Sequence, residues 1–135
     1  MKYLLSLTFV ITALLGICKP VSAQEKTDSA FKSLICKEWK LLFYEEDGEK
    51  FPPAPEQRND RMFFYPDYKV KSIEGKKIEH ATWKYNAAAK TLIVTDNETK
   101  EKMTLKLISL TAQLWVMDYK DPEGAVVRMH MAPVK

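Results

Sequence analysis

Residues 78–131 decide the fold class, and they read IEHATWKYNAAAKTLIVTDNETKEKMTLKLISLTAQLWVMDYKDPEGAVVRMHM. Short apolar runs recur in this stretch about every 10 to 12 positions, each closed by turn residues, which is typical of all-β domains. The clearest run is 78–85, where Ala81, Trp83 and Tyr85 alternate with polar residues. Such alternation indicates a half-buried strand. The same rhythm extends back to Trp39, so the sequence predicts an all-β domain.

Eight strands are predicted, at 39–45, 61–65, 68–73, 78–85, 91–95, 101–108, 113–119 and 125–131. The connections from residue 61 onward are short, which makes sequential strands antiparallel neighbours. An open meander of this kind leaves two exposed edges, and closure removes both. We therefore expect an eight-stranded antiparallel up-and-down barrel. A barrel of this size either fills its interior with side chains or holds one small ligand.

The first residues have the pattern of a secretory signal peptide. Lys2 precedes an apolar stretch over 3–17, and Val21-Ser22-Ala23 offers a cleavage site with small residues. The apolar stretch is shorter than the ~20 residues that span a bilayer. We predict a signal peptide over 1–23, a domain over 24–135 without a transmembrane segment, and a secreted or periplasmic location. A lipid anchor at Cys18 is the alternative.

Charge and cysteine content narrow the possible partners of the predicted domain. Residues 24–135 carry 19 basic and 18 acidic side chains, a net charge of +1. The sequence shows no basic stripe of the kind that tracks phosphates, so we expect no nucleic-acid partner. Cys36 is the one cysteine of this region. It is either a buried, inert thiol or free to pair between chains.

Two features before and within the strands suggest packing or a partner. Phe31, Leu34 and Ile35 fall on one face of a short helix predicted over 29–37, which would dock on the end or the outer wall of the barrel. The run 114–117 is apolar on both faces, so this helix or a partner protein should cover it.

A proline-rich connection over 46–60 is the only long loop, and long loops are often functional.

Several motifs resemble those of the lipocalin-like proteins, most closely the small secreted bacterial forms. Leu34–Leu41, with its tryptophan at 39, is similar to the helix and first-strand signature, and Phe64–Tyr68 is similar to a turn after the second strand. Ala81-Thr82-Trp83 resembles a later signature, and residues 108–114 resemble the pattern that links two late strands. The resemblance covers 34–131 and implies a closed barrel that binds a small ligand.

The resemblance also implies a structural pair and a lid. Lipocalins often carry an arginine near the last strand that packs over the first-strand tryptophan, so Arg128 is expected over Trp39. Such a cation–π contact is worth ~0.5–2 kcal/mol. The mouth of any cavity is expected under the 46–60 loop, which takes the position of the lipocalin lid.

The predicted function is the binding of a small apolar or amphipathic molecule. The faces predicted to point inward supply apolar, aromatic and thioether side chains, which suit such a pocket; the candidate binding residues are Phe63, Tyr65, Trp83, Tyr85, Met103, Leu105 and Met129. We expect no cofactor, no metal site and no catalytic residues, since His80 and His130 lack ligand spacing. The alternative is a filled barrel that binds a protein through strand 113–119 or the 46–60 loop.

Overall fold

The structure is a computed structural model that describes residues 21–135, with side chains described from Thr27. One helix, α1 (Val21–Ile35), precedes nine strands. The strands are β1 (Glu38–Glu46), β2 (Glu49–Phe51), β3 (Arg61–Phe64), β4 (Lys69–Glu74), β5 (Lys77–Asn86), β6 (Thr91–Asp96), β7 (Lys102–Leu110), β8 (Trp115–Lys120) and β9 (Val126–Pro133). Residues 1–20 of the predicted signal peptide, including Cys18, lie outside the described residues.

Eight of the strands form a closed antiparallel barrel, as predicted. Strands β3 to β9 pair in sequence order, β1 pairs with β3, and β9 returns to pair with β1. The β1–β9 register runs from Trp39 opposite Pro133 to Glu46 opposite Val127, so closure extends along nearly the whole of β1. Because both ends of the meander meet, neither the first nor the last barrel strand is left as an open edge.

The short strand β2 was not predicted, and it lies within the 46–60 connection. It forms a hairpin with β1 across Asp47 and Gly48, whose φ angles of 50° and 81° are both positive. Positive φ at both central residues defines the type I′ turn that matches the twist of paired strands. Pro52 and Pro53 follow directly, and proline cannot donate to a ladder. The hairpin therefore stops after three residue pairs.

Helix α1 closes one end of the barrel. It is longer than the predicted 29–37, and it ends at Ile35, two residues before β1. Phe31 and Ile35 belong to the same buried cluster as the inward-facing tryptophans. The Trp39 indole Nε1–H donates to the carbonyl oxygen of Ile35 at 2.9 Å. That bond satisfies a carbonyl at the helix end that has no partner within the helix.

The half of the barrel next to the helix is filled by side chains. Trp39, Phe64 and Trp115 meet edge to face, with ring centroids 5.6 Å apart for the two tryptophans and 5.4 Å apart for Phe64 and Trp115. Such geometry adds to the free energy of burial. The other buried members of this cluster are Phe31, Ile35, Val70, Trp83, Leu92, Val94, Leu105, Met117 and Met131. We call this half of the barrel the closed half.

Two register shifts break the alternation that the sequence suggests, one in the β1–β9 pairing and one in the β7–β8 pairing, between Leu107 and Ser109. The β1–β9 register shifts between Leu41 and Phe43, and Leu42 is exposed at the shift. Phe43 then lies opposite His130 on the outer wall, its ring stacked on the imidazole with centroids 4.2 Å apart. A bulge inserts one unpaired residue and so reverses the facing of those that follow. A regular strand over 39–43 would place Phe43 inside the barrel with Trp39. The bulge places Phe43 on the outer wall instead.

We predict that Ile35→Ala destabilises the fold by about 2–5 kcal/mol, since truncating a fully buried side chain leaves a cavity in the packed core. Ile35 is 0% exposed, and it joins the helix to the barrel. Urea unfolding followed by circular dichroism measures the difference. Ser33→Ala, at an exposed position of the same helix, is the matched control. Equal stability of the two variants would contradict the role given to the helix.

Candidate functional site

The end of the barrel opposite the helix holds a large cavity that opens to solvent. Its volume is about 1120 Å³. The turns between β4 and β5, β6 and β7, and β8 and β9 all lie at this end, because alternate connections of a meander share an end. Residues in or next to each of these turns reach the lining, among them Glu74, Thr99 and Pro122. We call this part the open half.

The inner wall of the open half changes from apolar to charged toward the mouth. Its deepest lining residues, which adjoin the filled core, are Met62, Val70, Ala81, Val94 and Met103. Residues two apart on a strand share a face. Along β4 the inward sequence is therefore Val70, Ser72, Glu74, and along β5 it is Ala81, Glu79, Lys77.

The charged groups at the mouth are held by local contacts. Glu79 forms an ion pair with Lys77. Asp96, at the end of β6, accepts hydrogen bonds from the backbone amides of Glu98 at 2.8 Å and Thr99 at 2.7 Å. These amides lower the pKa of Asp96, so its carboxylate is ionised at neutral pH. The volume also continues over the rim to Lys102, Thr104, Lys106, Asp118 and Lys120.

Two of the predicted binding residues face the wrong way. Phe63 and Tyr65 were expected inside, but the neighbouring Phe64 is the buried core residue, so Phe63 lies on the outer wall. Tyr65 is 40% exposed, and its ring is parallel to that of Phe63 with centroids 6.4 Å apart. The run Met62–Tyr65 is apolar at every position, which leaves the alternation ambiguous.

Most of the other predicted residues face inward but lie away from the large cavity. Leu105 and Met129 pack within the filled core, and Met103 alone of the seven candidates lines the large cavity. Trp83 and Tyr85 line a second cavity, of about 250 Å³, beside the helix. The residues missed by the sequence analysis, such as Glu79 and Ser72, continue inward-facing rows toward the mouth. For Glu79 the sequence did contain a signal. It lies two residues before Ala81, so the alternation over 78–85 places it on the inward face.

The 46–60 loop does not take the position that was expected for a lid. Residues 46–60 connect two strand ends at the open half, but none of them lines the large cavity. Part of this segment is the hairpin strand β2, and Pro55–Gln57 forms one 3-10 turn. The mouth is bordered by the other turns.

The expected pair of Arg128 and Trp39 is also wrong. Arg128 lies opposite Glu45, whereas Trp39 lies opposite Pro133, so the two are separated along the barrel wall. The guanidinium of Arg128 instead donates to both carboxylate oxygens of Asp118, at 2.7 and 3.1 Å. The ammonium of Lys37 lies 5.5 Å from the Trp39 ring centroid.

The remaining candidate groups give no further site. Both histidines lie on the outer wall: His80 is exposed, and His130 has its Nε2 2.9 Å from a carboxylate oxygen of Glu45. Cys36 is half-buried, and burial raises the pKa of its thiol. Within residues 27–135 no group of three or more histidine, cysteine and acidic side chains is placed to hold a metal ion. No helix of the described part is long and apolar enough to cross a membrane.

These features define a class of protein: a closed β-barrel with one end filled by side chains and the other end open as a cavity. Comparison with known proteins adds no narrower assignment. No family model matches the chain, and no curated protein matches it.

We predict that Asp118→Asn lowers stability at pH 7 by about 1 kcal/mol or less, the range of partly exposed ion pairs. Arg128 lowers the pKa of Asp118 through their hydrogen bonds. The pair therefore stabilises the fold above the ordinary aspartate pKa of about 3.9, and this contribution is lost as pH falls through the lowered pKa of the folded state.

The difference between wild type and Asp118→Asn should accordingly shrink in acid. Urea unfolding at a series of pH values measures it. Glu123→Gln, at an exposed position in the adjoining turn, is the control for loss of a carboxylate. A difference that persists unchanged below the ordinary aspartate pKa would contradict the assignment.

Proposed function

We propose that this protein is a secreted or periplasmic lipocalin-like binding protein that holds a small amphipathic molecule in the open half of its barrel. The observation that carries the proposal is the graded inner wall, apolar at Val70, Ala81 and Val94 and charged at Glu74 and Asp96 near the mouth. Small-molecule sites combine apolar walls with a few placed polar groups in the same way.

The size of the cavity supports a ligand of small-molecule dimensions. Its volume of about 1120 Å³ includes space beyond the rim, against Lys102, Lys106 and Lys120, so the part that the barrel wall encloses is smaller. Ligand pockets in proteins have volumes of roughly 300–1,000 Å³. The apolar part of a ligand would lie against Met62 and Met103, since thioether side chains adapt to irregular shapes. Its polar part would lie near Ser72 and Glu79, where water and hydrogen-bonding groups are both available.

We propose binding without chemical conversion of the ligand. Both histidines of the chain lie on the outer wall, away from the cavity. Two of the carboxylates that line the cavity are held by local contacts, Glu79 by an ion pair with Lys77 and Asp96 by backbone amides. General acid–base work requires a group whose pKa lies near the working pH, and the pKa of Asp96 is lowered instead.

The secreted location rests on the sequence of the first residues. Lys2, the apolar stretch over 3–17 and the small residues up to Ala23 form the pattern of a signal peptide. Lipid attachment through Cys18 stays as the alternative route to the same compartment. Comparing the exported wild-type protein with a Cys18→Ala variant separates cleavage of a signal peptide from lipid attachment, because only lipid attachment requires Cys18.

A protein-binding role has less support than ligand binding. It depended on the apolar run 114–117, but Trp115 and Met117 face the core, and Val116, on the outer side, is only 6% exposed. The register places Val116 between Ser109 of β7 and His130 of β9. This stretch therefore has little apolar surface to offer a partner.

The proposal predicts saturable binding of a fluorescent fatty acid, such as dansylaminoundecanoic acid, with a blue shift on entering an apolar site. Ala81→Trp fills the floor of the cavity and should weaken binding by about tenfold or more, which corresponds to ~1.4 kcal/mol. Thr82→Trp introduces the same side chain one residue away, on the outer face, and should bind as wild type does.

A probe is needed because Trp39, Trp83 and Trp115 are all buried in the closed half, so intrinsic fluorescence is a poor reporter of the large cavity. Two results would refute the proposal. One is the absence of saturable binding across fatty acids and amphipathic amines. The other is equal weakening by the Ala81 and Thr82 variants.

A further inference from the structure

The second cavity lies at the other end of the molecule, between α1, the turn from β3 to β4 and the last residues of β5. Its volume is about 250 Å³, below the roughly 300–1,000 Å³ of typical small-molecule sites. It therefore suits a compact group. Its lining consists of Asp28, Phe31, Tyr68, Trp83, Lys84 and Tyr85. Four of these six side chains are aromatic.

The rings form connected walls around this cavity. Phe31 is stacked on Tyr85 with centroids 3.7 Å apart, and its centroid is 6.0 Å from that of Trp83. The ring centroid of Tyr68 lies 4.8 Å from that of Trp83, on the side of the cavity toward solvent. Phe31 and Trp83 are buried, whereas Tyr68 is 48% exposed. The cavity therefore has a rigid aromatic floor and one wall that reaches solvent.

Tyr68 has a backbone conformation that its side chain disfavours. Its φ is 65°, in the left-handed region that suits glycine. It is the third residue of the loop between Tyr65 and Lys69, the position where such hairpins commonly use glycine. The closing hydrogen bonds, from the Tyr68 amide to the Tyr65 carbonyl and from the Tyr65 amide to the Lys69 carbonyl, need no side chain at 68. A strained residue of this kind points to a role for its ring.

The same ring already accepts a positive charge. The Lys32 ammonium lies over Tyr68, 4.2 Å from the ring centroid. Asp28, one helical turn before Lys32, brings a carboxylate to the cavity. Burial raises the pKa of Tyr85, and the charge of Asp28 adds to that effect. Lys84 also borders the cavity, from the outer face of β5, where the residue is exposed.

We propose that this aromatic cavity binds the methylated ammonium group of a small organic cation, which replaces the Lys32 ammonium over Tyr68. Tyrosine and tryptophan rings attract cations, and aromatic cages of this type recognise quaternary ammonium groups. Trp83 and Tyr85 supply further ring surface, and Asp28 supplies the countercharge. The group could belong to a free solute or to the choline headgroup of a lipid, which share this chemistry.

The first experiment compares choline with 3,3-dimethyl-1-butanol, its uncharged carbon isostere, by NMR titration of the purified full chain. The reporter is the Trp83 indole N–H, which donates to the Tyr65 carbonyl oxygen at 3.0 Å. We expect saturable shifts with choline and binding about tenfold weaker with the isostere, a ratio equivalent to the upper range of a cation–π contact. Equal binding of the two, or no saturable shift with choline, would overturn the proposal.

The second experiment separates the contribution of the Tyr68 ring to binding from its contribution to stability. Tyr68→Gly removes the ring together with the backbone strain, so choline binding should fall about tenfold while the urea midpoint is maintained. Tyr68→Phe retains the ring and should retain most of the affinity. Lys32→Met removes the competing ammonium, keeps the stem length and should strengthen choline binding. Wild-type affinity in both the Tyr68→Gly and the Lys32→Met variants would overturn the proposal.

A vesicle arm distinguishes the two sources of the cation. Co-sedimentation with phosphatidylcholine vesicles but not with phosphatidylglycerol vesicles, abolished by free choline, would identify a lipid headgroup. Choline binding without co-sedimentation would identify a free solute. Vesicle binding that ignores both the headgroup and the Tyr68→Gly substitution would count against the aromatic site.

Discussion

The pairing of β1 with β9 is the constraint on which the rest of the molecule depends. It joins the two ends of the meander along nearly the full length of β1, from Trp39 to Glu46. Only a closed wall separates an inner face from an outer face on all eight strands. The burial of Trp39 and Trp115 against each other follows from that closure, because their strands are both neighbours of β9.

The two halves of the barrel differ in how much apolar surface they bury. The closed half contains the tryptophans, the helix contact at Ile35 and most of the buried apolar side chains, whose burial stabilises the fold. The open half continues the same strands with Ser72, Glu79 and Asp96, which gain little from burial. A site in the open half can thus keep polar groups and empty volume while the other end maintains the structure.

The sequence predicted the barrel well because its evidence was redundant: eight short apolar runs, short turns and the cost of open edges all favoured closure. The site was predicted poorly because it depends on single positions. Phe63 and Phe64 both have apolar neighbours, so the pattern does not show which of them faces inward. The bulge at Leu42 turns Phe43 to the outer face, and no proline or glycine in the sequence marks that bulge. The partner of Arg128 is set by cross-strand register, which places Asp118 beside it. Alternation also indicates which residues share a face but not whether packing fills the space between them, so Leu105 and Met103 were equivalent from sequence alone.

The hairpin strand β2 has a consequence for how the protein behaves at high concentration. Within residues 21–135 it is the terminal strand of the sheet order, so one of its edges has no strand beside it. Such an edge can template fibril growth when it is long, flat and apolar. Here it is three residues long, carries Glu49 and Lys50, and is followed at once by Pro52. Incoming chains would find few amides to pair with and a charge at two of the three positions, which protects the barrel against polymerisation through the free edge of β2.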